Sequence, residues 1–217
     1  MIRWQILLAL AVAVWLFFKN LPGALLCVWP GWMRARETDD DGSLDPTTEP
    51  AMERIDHDLR ELGFTKVGAI QVSPPLSSGW AELCYAAKDL LTFADIDARG
   101  GALHVTLFTP FESGQAVVTS DFRRPGRETP ALLLGGLPQS DLSALWAAHK
   151  RRIARLGPDA TPWQDFTISG RVAADESFYS GAGRSELRAR SWAALAVAVV
   201  ALLLGLLSAL QLWRLAL

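Results

Sequence analysis

Three histidines (His57, His104, His149) and two cysteines (Cys27, Cys84) are the candidates for metal, acid–base or thiol chemistry in this chain. A zinc site needs donors at spacings that let them converge on one ion, such as H-x-x-x-H, H-E-x-x-H or C-x-x-C, and none of these occurs. His57 stands between Asp56 and Asp58 in a helical stretch. It reads as a ligand or general base, or as part of a solvated face, and residues one apart on a helix point to different sides. His104 lies in the strand-like run A-L-H-V-T-L-F, on the opposite face from Val105 and Leu107. His149 falls on an apolar helical stripe, where a packed imidazole with a hydrogen-bond partner is expected. Cys84, in W-A-E-L-C-Y-A, reads as a buried structural thiol, because nothing near it in sequence lowers its pKa. No pairing with Cys27 is expected, since that residue lies in an apolar leader segment.

Other chemistries lack their patterns. There is no G-x-S-x-G elbow and no phosphate-binding glycine loop. Gly181-Ala182-Gly183-Arg184 reads as a hinge. An oxygen-rich run places Glu37, Asp39, Asp41, Gly42 and Leu44 where a calcium loop would use them. Its twelfth position is Thr48, and Pro46 intrudes, so an acidic linker accounts better for these residues. The expectation is no catalytic residue, no metal and no cofactor.

The basic residues form two groups. Arg123, Arg124 and Arg127 lie in a loop; Lys150, Arg151, Arg152 and Arg155 lie on a helix. They read as solvated surface, as contacts to anionic lipid headgroups, or as partners of Glu53, Asp56 and Glu61. A net charge of −2 without a clustered positive excess argues against a nucleic-acid partner.

Residues 50–180 must position these groups. Met52, Ile55, Leu59 and Leu62 recur at helical steps over 50–62, with Thr47 or Thr48 as cap and Gly63 as stop. Strands are expected at 64–72, 80–87, 91–96, 102–111 and 116–122, with a short one at 132–134. Ser113-Gly114 turns one hairpin. A second helix, 141–156, carries Leu142, Leu145, Trp146, His149, Ile153 and Leu156 on one stripe, with Ser140 as its cap. Consecutive strands with tight turns and two flanking helices predict an α+β fold: an antiparallel sheet with two covering helices. Residues 158–185 carry no clear pattern.

The ends are apolar. Trp192 to Trp213 is twenty-two residues without a charge. As a helix it is about 33 Å long, which matches a hydrocarbon core of about 30 Å. Trp4 to Phe18 is a fifteen-residue apolar run, broken by Lys19-Asn20-Leu21-Pro22-Gly23. It reads as an uncleaved anchor over 3–20 followed by an interfacial segment over 21–33, or as a cleaved signal. The expected organisation is an anchor or signal (1–33), an acidic linker (34–49), the domain (50–180), a basic juxtamembrane hinge (181–191) and a transmembrane helix (192–213). Ala201, Gly205 and Ala209, four apart, give a small-residue face suited to helix packing, flanked by Ser208.

The expected setting is a bacterial inner membrane. Arg34, Arg36, Arg184, Arg188 and Arg190 lie on the domain side, against Arg3 and Arg214 on the far side, which favours a cytoplasmic domain. A cleaved signal would instead leave the domain outside the cytoplasm. Three functions fit. The first is a non-enzymatic interaction or assembly module with the bilayer and a membrane or membrane-associated protein as partners. The second is an enzyme acting on a lipid or lipid-linked substrate, using Cys84, His104 and acidic residues. The third is an accessory subunit of a transporter.

Overall fold

The computed structural model describes residues 2–39, 49–99, 101–156 and 160–216. It divides into two compact units, one formed by 1–33, 74–77 and 184–217, the other by 34–73 and 78–183.

The second unit is built on eight strands: β1 (Arg34–Thr38), β2 (Thr65–Ser73), β3 (Trp80–Ala87), β4 (Thr92–Arg99), β5 (Ala102–Pro110), β6 (Ala116–Ser120), β7 (Arg127–Thr129) and β8 (Leu132–Gly136). They form one sheet in the order β1-β2-β3-β4-β5-β6-β8-β7. Every pairing is antiparallel except β6 with β8. The strands from β2 to β6 lie in the apolar, β-branched and aromatic runs of the sequence and are joined one to the next by short connections. The expected linker over 34–49 is different at its start. R-A-R-E-T pairs with β2 as an edge strand, with Arg34 opposite Ser73 and Thr38 opposite Ala69. Glu37 therefore lies in a strand, not at the head of a calcium loop. Asp41, Gly42, Leu44, Thr47 and Thr48 lie outside the described residues.

Three helices cover the sheet, one more than expected. On one face, α2 (Glu49–Glu61) and α3 (Leu142–Leu156) bury Leu59, Leu145 and Trp146 against Leu83, Tyr85, Ala94, Ile96, Val105 and Leu107. Gly63, at φ 89°, closes α2: its N–H reaches the Arg60 carbonyl and the Phe64 N–H reaches Leu59. The cap of α3 is Asp141, not Ser140, because the Asp141 carboxylate accepts from the Ala144 N–H at 2.6 Å while the Ser140 hydroxyl donates to Leu137.

The opposite face is covered by α4 (Ile168–Ser180), in the stretch that had no clear pattern. Thr167 caps it by accepting from the Gly170 N–H. Ala174 and Phe178 pack on Phe93, Phe108, Val118, Leu132 and Leu134. At the Lys66/Gly68 bulge of β2, Gly68 has φ 151°, and Ile168 lies 3.1 Å from where its Cβ would be.

The first unit holds α1 (Ile2–Val28) and α5 (Arg184–Ala216), both long and apolar enough to cross a membrane. The expected break at Lys19–Gly23 is absent. α1 runs through Pro22, which removes one intrahelical donor but does not end the helix. Likewise 184–191 is helix, not hinge. The two helices pack antiparallel, with Gly23 at Ala194 and Ala13 at Gly205. The more covered positions of α1 include Ile6, Leu10, Ala13, Phe17, Asn20, Ala24 and Cys27. On α5 they include Leu187, Ser191, Ala194, Ala198, Ala201, Gly205, Ser208 and Leu212. Alternating steps of three and four make a heptad-like seam.

Candidate functional site

The sheet register builds a polar patch on the α4 face. Cys84 pairs with Asp95, Asp95 with Thr106, and Thr106 with Ser120, so four polar side chains form a row across β3–β6. A second row begins two residues away: Glu82 on β3, then Asp97, which pairs with His104. Charges at such depth need a counter-ion. Arg171, one turn into α4, supplies it. Its Nε and Nη2 donate to the two Asp95 carboxylate oxygens at 3.0 and 2.8 Å, and its Nη1 lies 2.7 Å from Asp175. The guanidinium sits 4.6 Å from the Phe108 ring centroid and 5.6 Å from that of Phe93. Trp80 Nε1 donates to Glu82 at 2.6 Å. Glu82, Asp95, Asp97, Arg171 and Asp175 are all buried.

One guanidinium does not neutralise so many carboxylates. Burial, reinforced by Asp95 and Asp175, pushes the Glu82 carboxyl up to about 8. Burial also raises Asp175, to about 6, against the pull of Arg171. Burial alone would lower Arg171, but Asp175 and Asp95 outweigh it and hold the guanidinium well above its ordinary value. Burial, with Asp95 beside it, drives the Cys84 thiol well up, so this cysteine is a poor nucleophile. The cluster can bind and release protons between mildly acidic and mildly alkaline pH, and it ties α4 to the middle of the sheet.

The other face carries a second network. His149 of α3 is fully buried between two threonines, with Nε2 2.9 Å from Thr109 Oγ1 and Nδ1 2.9 Å from Thr119 Oγ1. Thr109 meets Thr92 at 2.7 Å, and Arg152 Nη1 donates to Thr119 at 2.7 Å. Burial, with Arg152 nearby, pushes the imidazole down to about 3. It is a neutral link between α3 and the strands, as a histidine on an apolar stripe should be.

The histidines do not converge. His104 lies on the α4 face, Nδ1 3.1 Å from Asp121, while His149 lies beneath α3 on the opposite face. His57 is exposed, 3.3 Å from Glu61, and shares a surface cluster with Asp58 and Glu61. Cys27 and Cys84 are free thiols. A cavity of about 270 Å³ opens beside Thr65, Lys88, Gln164, Asp165 and Thr167, none of which belongs to either network. Its carboxylate, Asp165, already accepts from the Thr167 N–H and hydroxyl.

Several of the basic residues have protein partners. Arg124 donates to Ser120, Arg152 to Thr119 and Arg155 to Glu128, while Lys150 lies over the Trp146 ring. Arg127 is half-buried in β7; Arg123 and Arg151 are exposed. In the helix pair, Ala201 is buried and Gly205 faces Ala13, whereas Ala209 is exposed and Ser208 sits on the seam. Comparison with protein-family models, characterised proteins and solved structures found no match to this chain.

Proposed function

We propose that this chain is a membrane-anchored, non-enzymatic interaction module: an α+β domain held at a bilayer by a pair of terminal helices and acting through a membrane or membrane-associated protein partner. One observation carries the reading. The α1–α5 pair turns alanine, glycine and serine inward along α5 and large apolar side chains outward, including Trp4, Trp15, Phe18, Val200, Leu203, Leu206 and Trp213. That is the reverse of a water-soluble helix pair and the pattern of helix association in lipid. A lipid-acting enzyme would need its polar groups in one open cleft. Cys84 is instead buried, and His104 and His149 point to opposite sides of the sheet.

The module reading is tested by purifying the full chain in mild detergent. A stoichiometric protein partner is expected. A lone monomer with activity on phospholipid would overturn it.

The arginines support one orientation. Arg34, Arg36, Arg184, Arg188 and Arg190 flank the domain ends of the helices, which favours a cytoplasmic domain in a bacterial inner membrane. With Cys27 and Cys84 replaced and Ser43→Cys introduced, an impermeant thiol reagent is expected to leave intact spheroplasts unlabelled and to label lysed ones. Labelling of intact spheroplasts reverses the orientation.

A further inference from the structure

Leu76 is out of place for water. It is 75% exposed, and among the described residues it is the only exposed large apolar side chain outside residues 4–32 and 192–215. Its backbone has φ 59°, a left-handed conformation that strains a branched residue and favours glycine or asparagine. Exposure and strain both count against leucine here in an aqueous loop.

Its surroundings point to lipid. Leu76 stands in Pro74-Pro75-Leu76-Ser77, the turn between β2 and β3. No charged residue occurs between Lys66 and Glu82, so the tip carries no charge that would have to leave water. The neck of the turn is held in one shape. Gln71 Nε2 and Ser73 Oγ both donate to the Ser78 carbonyl, and Gly79, at φ 76°, lets the chain pass the Val72 carbonyl where a Cβ would lie 2.1 Å away. Residues 74–77 also group with the two terminal helices rather than with the sheet.

We propose that the β2–β3 turn is a membrane-interface contact, with the Leu76 side chain seated between the headgroups and the first carbons of the lipid chains. The occupant is the lipid of the bilayer that α1 and α5 cross, so the inference rests on the membrane-anchored reading above. The turn acts as a third attachment beside the two helices. One leucine is a weak anchor by itself, but it is added to a chain already confined to the surface.

The test uses the full chain with Cys27→Ala and Cys84→Ala, reconstituted in vesicles of phosphatidylcholine and phosphatidylglycerol. Single cysteines at Leu76, Ser113 and Leu203 carry an environment-sensitive fluorophore. Ser113 is exposed in the β5–β6 turn, at the opposite end of the strands from the β2–β3 turn. Leu203 is on the outer surface of α5. Lipids spin-labelled near the headgroup should quench position 76 several-fold more than 113, and chain-labelled lipids should quench 203. If 203 is quenched and 76 behaves like 113, the helices span and this proposal fails. If 203 is not quenched, the membrane reading fails and the proposal falls with it. Leu76→Asn separates side chain from turn, because asparagine tolerates the left-handed backbone. This variant should keep the fold and the membrane helices, while a label at neighbouring Ser77 loses shallow quenching.

Discussion

At the scale of single residues, the molecule is governed by which charges it buries. Glu82 ordinarily titrates near 4.5 and here near 8, so between those values the folded chain holds a proton that the unfolded chain has released. Stability therefore falls as pH rises through that window. Asp175, moved from 3.8 to about 6, acts with the same sign over a lower range. His149 acts oppositely. It ordinarily titrates near 6.5 and here near 3, so acidification below 6.5 charges the unfolded chain first and costs stability. The interval from 6.5 to 8 is thus left mainly to Glu82. The melting temperature of the full chain should drop from pH 6.5 to pH 8, and Glu82→Gln should flatten that drop. An equal slope in the variant would show that Glu82 is ionised throughout. The two acidic residues of β4 could be read from sequence as the wet face of a half-buried strand, T-F-A-D-I-D-A-R. In the folded chain α4 covers the face on which Asp95 lies.

At the scale of elements, the two faces of the sheet are held by different means. α3 brings a conventional apolar stripe. Trp146 is 8% exposed, packs edge-on to Phe64 at 6.1 Å and stacks near His149 at 5.8 Å. Trp146→Ala should cost about 3–5 kcal/mol in chemical denaturation, and an unchanged midpoint would mean that α3 does not carry this face. α4 is held by charge as much as by packing. Arg171→Leu removes the counter-ion of Asp95 and Asp175, and stranding those carboxylates should cost about 3–5 kcal/mol. Adding Asp95→Asn and Asp175→Asn to it should recover part of the loss, which a purely steric role for Arg171 would not allow. This difference also explains what the sequence made legible. β3 stands at 80–87 as expected, since its run is apolar except for Glu82. α4 was missed because its inward stripe is Arg171, Ala174, Asp175 and Phe178: the spacing is helical, but half of the stripe is polar. The Arg171–Asp175 step of four was the available signal. β1 was missed because R-A-R-E-T, on an edge, has little apolar content to alternate.

At the scale of the whole molecule, composition decides more than any motif does. The two terminal apolar segments were plain in the sequence. Their pairing was not, because the small residues that mark a seam also occur by chance in alanine-rich helices. Gly23 shows the constraint most sharply, since a Cβ there would lie 2.6 Å from that of Ala194. The proposed interaction role has no local signature, because an interaction surface is not confined to particular residue types at particular spacings.

The proposed function requires that α1 and α5 pack as one antiparallel pair within the membrane. A Cβ built on Gly205 lies 3.8 Å from that of Ala13, within the range of about 3.5–4.5 Å that a disulfide requires. The decisive measurement is oxidation of isolated membranes bearing the full chain with Ala13→Cys and Gly205→Cys, and with Cys27 and Cys84 replaced by alanine. The expected result is a crosslink within a single chain, seen as a reducible mobility shift, in protein that stays with the membrane after an alkaline wash. A chain released by the wash, or one that forms no intramolecular crosslink although both thiols still react once denatured, would contradict it.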